Sequence, residues 1–161
     1  MSEQRFHVIG MTDDQSGTFS AEILQLMGRG KVFSGGKRHH EIVASLLPED
    51  AVWIDITVPL DKVFSQYEAY AEIIVFASGD PLFFGFANTL KKRLPNAWMR
   101  VYPVFNSLQT LAHRLVLPYH DMRTVSLTGR PWQNLDEALI RGDKLIGALT
   151  DREKTPSRIA A

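Results

Sequence analysis

Cysteine is absent from this 161-residue sequence. Its absence excludes disulfide bonds, thiolate metal sites and thiol nucleophiles. An excess of charge of either sign is absent too, because 18 Lys and Arg residues balance 18 Asp and Glu residues. Without a net field the chain has no general attraction for nucleic acid or for an anionic membrane, so neither is a predicted partner. An anionic ligand must therefore be bound by local cations.

Long hydrophobic runs are also lacking, although 45% of the residues are hydrophobic. The apolar runs are too short to cross a membrane. Residues 1–11 show no charged stretch followed by a long apolar core, so no signal peptide is predicted and we expect a cytoplasmic protein. The length suits one well-buried domain, or one domain with part of another.

Several familiar catalytic signatures are missing. The first apolar segment leads into "IGMTDDQSG" rather than G-x-G-x-x-G, no Walker lysine motif occurs, and no serine lies in G-x-S-x-G. The neighbours His39 and His40 would point about 100° apart on a helix, and the other histidines have no ligand spacing with them. We therefore expect no metal site and assign no catalytic side chain, which leaves hydride transfer, nucleotide hydrolysis and nucleophilic catalysis unsupported.

Short apolar segments alternate with amphipathic ones along most of the chain. The segment "EIIVFAS", residues 72–78, is continuous rather than alternating, which favours a strand buried on both faces. Strands that alternate with helices of this length imply right-handed crossovers and a mostly parallel sheet. The predicted fold class is therefore α/β, a mostly parallel sheet with flanking helices. The predicted strands of this sheet are residues 5–11, 31–34, 51–56, 72–78 and 99–105.

Helical periodicity falls between these strands. Ser20 is a candidate cap for a first helix, residues 38–47 offer a second, and Pro59 opens a third. A later helix is entered through Asn106 and Ser107.

The first candidate site is the turn "SGDPLF", residues 78–83, here called the glycine corner. Asp80 can accept from the free N–H groups of a first helical turn, and Pro81 suits the first helical position. In an open parallel sheet the carboxyl ends of strands are where ligands usually lie. The alternative interpretation is a plain helix start, in which Gly79 only supplies a positive φ angle.

The second candidate site is "SGGKRHHE", residues 34–41, here called the basic loop. It also follows a strand, so we expect Gly35 and Gly79 to lie on one edge of the sheet. Lys37 and Arg38 supply donors suited to carboxylate or phosphate. The alternative is a solvated basic helix start.

The pattern pauses at residues 117–122, where a proline and turn-forming residues favour a boundary. We predict an N-terminal α/β domain over residues 1–117 and the beginning of a second α/β domain over residues 118–161. Predicted strands in the second part are residues 124–127 and 144–151.

Capping residues delimit the helices of this second part. Asn134, with Glu137 three residues on, predicts a helix start, and Gly142 predicts its end. Thr155 and Pro156 predict another helix start with only five residues left, so we expect the chain to end inside the second domain.

Six motifs run in order along essentially the whole chain: "FHVIGM", "FSGGKRHHE", "VFASGDPLFFG", "FNSLQTLAHRL", "SLTGRPW" and "LTDREKTP". In their order and spacing they resemble the tetrapyrrole methylase family. The resemblance is to its precorrin-6Y type, the cobalt-precorrin-7 (C5)-methyltransferases of cobalamin synthesis. Strand, G-D-P and helix are shared with other methylases of this fold, whereas the basic loop and the "L-T-D…T-P" end are typical of the corrinoid branch.

The resemblance implies two α/β domains with the active site between them, bound S-adenosyl-L-methionine, a polycarboxylate tetrapyrrole (corrinoid) substrate and usually a homodimer. Lys37 and Arg38 would hold substrate carboxylates. One departure concerns the first loop, which is commonly glycine-rich in the family but reads "GMTDDQSG" here. The implied cofactor-binding residues are Gly79, Asp80, Pro81, Phe83, Ser107, Leu108, Leu149 and Thr150.

Two other functions remain open at this stage. One is a noncatalytic α/β ligand-binding or dimerisation fragment, which binding of S-adenosylhomocysteine would distinguish. The other is a methylase of the same fold that acts on RNA or protein. An RNA-directed enzyme would need a basic face, which the balanced composition does not indicate.

Overall fold

The computed structural model describes residues 3–12 and 18–161. The contacts divide the chain into two compact units, Met1–Val104 and Phe105–Ala161. The predicted boundary between two methylase domains after residue 117 is a separate matter from these units and stays a prediction.

The first unit contains a five-stranded sheet in the order β3-β2-β4-β1-β5, and every neighbouring pair is parallel. The prediction of a mostly parallel α/β sheet is confirmed. The last strand ends earlier than predicted, because Pro103 follows it and cannot donate to a strand ladder. The strands are β1 (Arg5–Met11), β2 (Val32–Gly35), β3 (Val52–Asp55), β4 (Glu72–Ser78) and β5 (Trp98–Tyr102).

Helices connect these strands. Ser20 caps α1 as predicted, accepting a hydrogen bond of 3.3 Å from the Ile23 N–H. The predicted second helix is split, because one turn of 3-10 helix, Ala44–Leu46, replaces its end. The helices of the first unit are α1 (Ala21–Arg29), α2 (Lys37–Val43), α3 (Asp61–Tyr67) and α4 (Phe86–Arg93).

Both faces of the sheet are covered. In β4, Ile73 and Val75 join one core and Ile74 and Phe76 join the other. This agrees with the prediction from its continuous apolar run, since a strand exposed on one face would alternate. The central strands therefore form a rigid base for the loops at their ends.

The second unit contains a parallel pair of strands with helices against them. Its buried core includes Val125 and Leu127 from the first strand region and Leu135 and Ala138 from a helix. The elements are α5 (Ser107–Leu115), β6 (Arg123–Ser126), α6 (Gln133–Arg141), β7 (Ile146–Leu149) and α7 (Pro156–Ala160).

The helix boundaries of the second unit follow the capping prediction with one exception. Asn106 forms a capping box with Gln109, and Thr155 caps α7. Asn134 was expected to cap α6, but this helix begins at Gln133. The physical reason is Trp132, which already has helical φ and ψ angles and packs against the apolar core, so the turn starts before Asn134.

Within residues 3–12 and 18–161, no helix combines the length and the apolar content that a bilayer crossing requires.

Candidate functional site

The glycine corner and the basic loop lie at the carboxyl ends of adjacent parallel strands. Strand β2 pairs with β4, with Ser34 opposite Val75. A hydrogen bond of 3.1 Å between His39 Nε2 and Ser78 Oγ joins the two segments. The prediction that Gly35 and Gly79 lie on one edge is confirmed.

The glycine corner rests on the end of β1. Gly79 has a φ angle of 64° and donates its N–H to the Met11 carbonyl oxygen at 2.7 Å. A Cβ at Gly10 would collide with the Gly79 carbonyl oxygen and would lie 3.2 Å from Pro81 Cδ. Only a residue without a side chain at position 10 leaves room for the corner in this place.

Gly10 was not singled out from the sequence, although a signal for it was present. A glycine inside an otherwise apolar strand indicates a bulge or a close approach of another backbone. Here the approaching backbone belongs to the glycine corner.

The prediction that Asp80 and Pro81 start a helix is wrong. Helix α4 begins at Phe86, and Gly85 occupies its N-terminal cap position. Asp80 Oδ1 instead accepts a hydrogen bond of 2.9 Å from the Leu82 N–H, which is an Asx turn.

Gly85 explains why α4 starts later than predicted. Its Cβ position lies 2.5 Å from the Pro81 carbonyl oxygen, so the chain folds back on itself between these residues. Phe84 also has a positive φ angle, 52°, which breaks the helical path. Asn88 Nδ2 donates to the Leu82 carbonyl at 2.8 Å and holds the loop closed against α4.

The corner presents both apolar and polar groups to solvent. Leu82 and Phe84 are exposed to 48% and 41%. Phe83 is half-buried, and its ring meets the Phe84 ring edge-on with 4.9 Å between centroids. Asp80 is also half-buried, and the hydrogen bond of its carboxylate to the Leu82 N–H is exposed to solvent. Such a mixture suits a ligand with both apolar and hydrogen-bonding parts.

The basic loop is fixed by packing beneath it. A Cβ at Gly35 would lie 3.0 Å from Trp53 Cη2 and 3.3 Å from His39 Cβ, so the loop backbone approaches both side chains closely. Lys37 and Arg38 follow in the first turn of α2 and are exposed. The loop therefore presents two cations on a well-supported backbone.

The two adjacent histidines of α2 have different surroundings. His39 reaches Ser78, whereas the His40 ring stacks on the Trp53 ring with 4.1 Å between centroids and 9° between planes. Trp53 Nε1 donates to Asp55 Oδ1 at 2.8 Å. In the part of the chain that the structure describes, no group of three His, Asp or Glu side chains is placed to hold a metal ion.

A buried hydroxyl pair supports the end of β2. Ser34 Oγ donates to the Ile54 carbonyl at 2.7 Å, so its one proton is used, and the Tyr67 hydroxyl donates to Ser34 Oγ at 2.7 Å. Burial raises the pKa of Tyr67 to about 12. This contact ties α3 to the residue that precedes Gly35.

The other predicted cofactor residues lie in the second unit. Ser107 and Leu108 are the first residues of α5, Leu149 ends β7, and Thr150 follows it. Leu108 Cδ1 lies 3.0 Å from where a Cβ at Gly147 would stand, so the start of α5 packs on β7. The structure therefore places Leu108 against the strand that Leu149 ends, and the shared cofactor role of the four residues stays a prediction.

Asp151 organises the turn that follows Thr150. Its carboxylate accepts hydrogen bonds from the N–H groups of Lys154 (2.6 Å), Gly129 (3.1 Å) and Glu153 (2.9 Å). The bonds from the Lys154 and Gly129 N–H groups lower the pKa of Asp151 to about 2. The carboxylate joins the loops after β6 and β7, a role that was not predicted from the sequence.

Comparison with known proteins gives relatives in sequence and in structure. No protein-family model matches the chain. A decarboxylating precorrin-6Y C(5,15)-methyltransferase of a Sinorhizobium species is 33% identical over 147 residues, which cover 89% of this chain and 35% of that protein. The chain therefore spans about a third of the length of this relative.

Solved structures share the fold. The precorrin-6Y methylase CbiE of Archaeoglobus fulgidus superposes with a TM-score of 0.64 at 17% identity, covering 91% of this chain and 73% of that one. The methyltransferase CobJ superposes with a TM-score of 0.67 at 21% identity, covering 90% of this chain and 67% of that one. At these identities the structural matches establish the α/β fold.

Proposed function

We propose that the chain is part of an S-adenosyl-L-methionine-dependent methyltransferase. The support is a precorrin-6Y methyltransferase that is 33% identical over 89% of this chain and a precorrin-6Y methylase structure with the same fold. The proposed reaction is C-methylation, at C5, of a corrin ring intermediate of the precorrin-6Y or cobalt-precorrin-7 type in cobalamin biosynthesis. The observation that carries the proposal is the junction of the glycine corner and the basic loop at one sheet edge, through His39 and Ser78.

The glycine corner fits a methyl-donor cofactor. Gly79 brings bare backbone to the surface, and Asp80 offers a carboxylate for hydroxyl or amino groups. When bound, S-adenosyl-L-methionine supplies a methyl group on a sulfonium. In the first unit Gly79, Asp80, Pro81 and Phe83 would hold it. The proposed cofactor residues of the second unit are Ser107, Leu108, Leu149 and Thr150.

The proposed chemistry makes modest demands on side chains. Methyl transfer from a sulfonium to an electron-rich ring carbon is an in-line displacement in which the substrate's own π system is the nucleophile. Alignment and exclusion of water then contribute more than a side-chain base. A rigid corner with exposed Leu82 and Phe84 suits these tasks.

The basic loop fits a polycarboxylate substrate. A tetrapyrrole with many acetates and propionates needs local cations, which Lys37 and Arg38 provide on an otherwise neutral protein. The same neutrality argues for a substrate other than nucleic acid. We further propose that the protein acts as a homodimer in the cytoplasm, as the family resemblance implies, and sedimentation of the purified protein tests the dimer.

Calorimetric titration of the 161-residue chain with S-adenosylhomocysteine tests the proposal. Asp80→Ala should weaken binding about tenfold or more, the scale of a hydrogen bond to a charged group. Its unfolding free energy should fall by only about 1 kcal/mol, because one turn hydrogen bond is lost. Asp50→Ala, in an exposed turn, is the matched control and should change neither.

Other outcomes favour other functions. If the parent chain binds no S-adenosylhomocysteine, a noncatalytic fragment becomes the better interpretation. If the parent chain binds S-adenosylhomocysteine and RNA but does not bind a polycarboxylate porphyrin, an RNA-directed methylase becomes the better interpretation. If Asp80→Ala keeps the parental affinity for S-adenosylhomocysteine but has a lower unfolding free energy, the only role of Asp80 is to stabilise the Asx turn.

A further inference from the structure

We propose that His39 is a positioning residue that couples the basic loop to the glycine corner, so that a polycarboxylate tetrapyrrole and the cofactor bind cooperatively. The inference rests on the proposed function, since it assigns one ligand to each segment. It goes beyond that function by naming the residue through which each ligand would affect the other.

The first step is the position of His39 relative to the cations. Lys37 and Arg38 precede it directly in the first turn of α2. Arg38 and His39 are consecutive residues of the same helical turn, so a ligand that immobilises Arg38 acts one residue away from His39. His39 Cβ also lies close to the Gly35 backbone, where an added Cβ would come within 3.3 Å of it.

The second step is the position of Ser78 relative to the corner. Ser78 is the last residue of β4 and lies opposite Met11 of β1. Gly79, the next residue, turns the chain through its left-handed conformation and bonds to the Met11 carbonyl. A side chain that binds Ser78 Oγ therefore restrains the residue that directly precedes the turn at Gly79.

The third step is that a hydrogen bond of 3.1 Å between His39 Nε2 and Ser78 Oγ joins the two segments at the molecular surface. Ser78 is exposed and His39 is half-buried. Each segment also has support of its own, the basic loop from Trp53 and the glycine corner from β1. The bond is thus a direct link between two segments that also pack on other elements of the sheet.

Cooperativity follows from linkage. If one ligand restricts the first turn of α2, the corner is ordered through His39 before the second ligand arrives, and the second ligand meets a smaller ordering cost. By thermodynamic necessity the effect is equal in both directions. Couplings of this kind typically change affinity by about five-fold or more.

The test is calorimetric titration of the 161-residue chain with S-adenosylhomocysteine, alone and with a saturating octacarboxylate porphyrin. The parent should bind the cofactor analogue about five-fold or more tightly when porphyrin is present. In His39→Ala and Ser78→Ala the ratio of the two affinities should fall to about one, because the coupling is removed. His39→Gln should restore much of the ratio, since its amide reaches out from the same position to Ser78 Oγ.

His40→Ala is the matched control. His40 is the next residue of the same helix, but its ring packs on Trp53 rather than on Ser78. This variant should keep the parental ratio, and thermal unfolding of each variant shows whether it is folded. A merely structural role for His39 would lower stability and both affinities without changing their ratio.

The outcomes separate the inference from the proposed function. Failure of the parent to bind S-adenosylhomocysteine overturns the proposed function and the coupling with it. A parent that binds both ligands independently, or a His39→Ala variant that keeps the parental ratio, overturns the coupling alone. An equal loss in His40→Ala also overturns it, because the effect would then belong to α2 as a whole.

Discussion

Gly10 and Gly79 are packed directly against each other, because a Cβ at residue 10 would collide with the Gly79 carbonyl oxygen. One residue lies in β1 and the other follows β4, and the two strands are paired in register. The adjacent N–H of Gly79 bonds to the Met11 carbonyl. The position of the glycine corner is therefore set by the neighbouring strand, rather than by the helix that follows it.

Gly10→Ala should displace the corner. An added methyl group must push the Gly79 backbone away, and overpacking of this kind costs about 1 to 3 kcal/mol of unfolding free energy. Affinity for S-adenosylhomocysteine should fall in parallel. Urea unfolding and calorimetry measure both effects.

Gly28→Ala is the control for that substitution. Gly28 lies in α1 with no atom within 4 Å of its Cβ position, so alanine should stabilise the helix by about 0.5 to 1 kcal/mol. Equal stability effects in the two variants would contradict the account of Gly10.

Residues that could be predicted from sequence are those whose signal is local. The continuous apolar run of β4 predicted a strand buried on both faces, and the Asn106 to Gln109 spacing agrees with the capping box. The start of α4 was predicted wrongly, because Asp80 and Pro81 also suit an Asx turn and only the fold shows Gly85 packed against Pro81.

Contacts between distant segments could not be predicted in the same way. The parallel sheet placed the basic loop and the glycine corner on one edge, which follows from strand direction alone. The contact between His39 and Ser78 depends additionally on strand order and on which way each side chain points. Neither has a signature in a single sequence.

Tyr67→Phe should remove an alkaline instability. Tyr67 is fully buried, and burial raises its pKa to about 12 from the usual 10.0. The unfolded chain therefore loses this proton first, so the stability is present below pH 10 and is lost between pH 10 and about 12. In the parent the loss should be about 1.4 kcal/mol at pH 11 and should approach about 2 to 3 kcal/mol above pH 12, and it should be absent for this group in the variant.

The same variant has a second, neutral-pH effect. Loss of the bond from the Tyr67 hydroxyl to Ser34 should cost about 1 kcal/mol at pH 7. Tyr119→Phe, in the second unit, serves as control. Chemical denaturation at pH 7 and pH 11 measures both effects on the unfolding free energy. If the parent and Tyr67→Phe lose the same unfolding free energy between these pH values, other groups cause the alkaline loss.

His7 should make the protein sensitive to acid. Burial lowers the pKa of His7 below 6.5, against an opposing effect of Glu72, whose Oε1 lies 3.7 Å from His7 Nε2. The unfolded chain therefore takes up this proton first, so stability is full above pH 6.5 and falls as the pH drops below it. The cationic side chains that also lower this pKa are Arg5, Arg29 and Arg100.

His7→Phe should reduce that acid loss. The His7 ring meets the Trp98 ring edge-on at 5.2 Å, so another aromatic ring suits the site. His120→Phe is the control, because His120 is exposed beside Asp121. Urea unfolding from pH 7.5 to pH 5 should show a smaller decrease for His7→Phe than for the parent, and identical decreases would rule out His7 as the source.

Arg38 should bind substrate rather than cofactor. It lies in the basic loop beyond Gly36, and its planar guanidinium can grip a carboxylate through two charge-assisted hydrogen bonds. Arg38→Ala should weaken binding of an octacarboxylate porphyrin by about 1.5 to 3 kcal/mol, the range for hydrogen bonds to charged groups, while the intrinsic affinity for S-adenosylhomocysteine, measured without porphyrin, is unchanged. Arg38→Lys should recover part of the loss, because a lysine keeps the charge but not the planar pair of donors.

Arg141→Ala, on the exposed surface of α6, is the control and should leave both affinities at the parental value. A selective loss of S-adenosylhomocysteine binding in Arg38→Ala would assign the basic loop to the cofactor instead. Parental affinity for both ligands would show that Arg38 has no role in binding either of them.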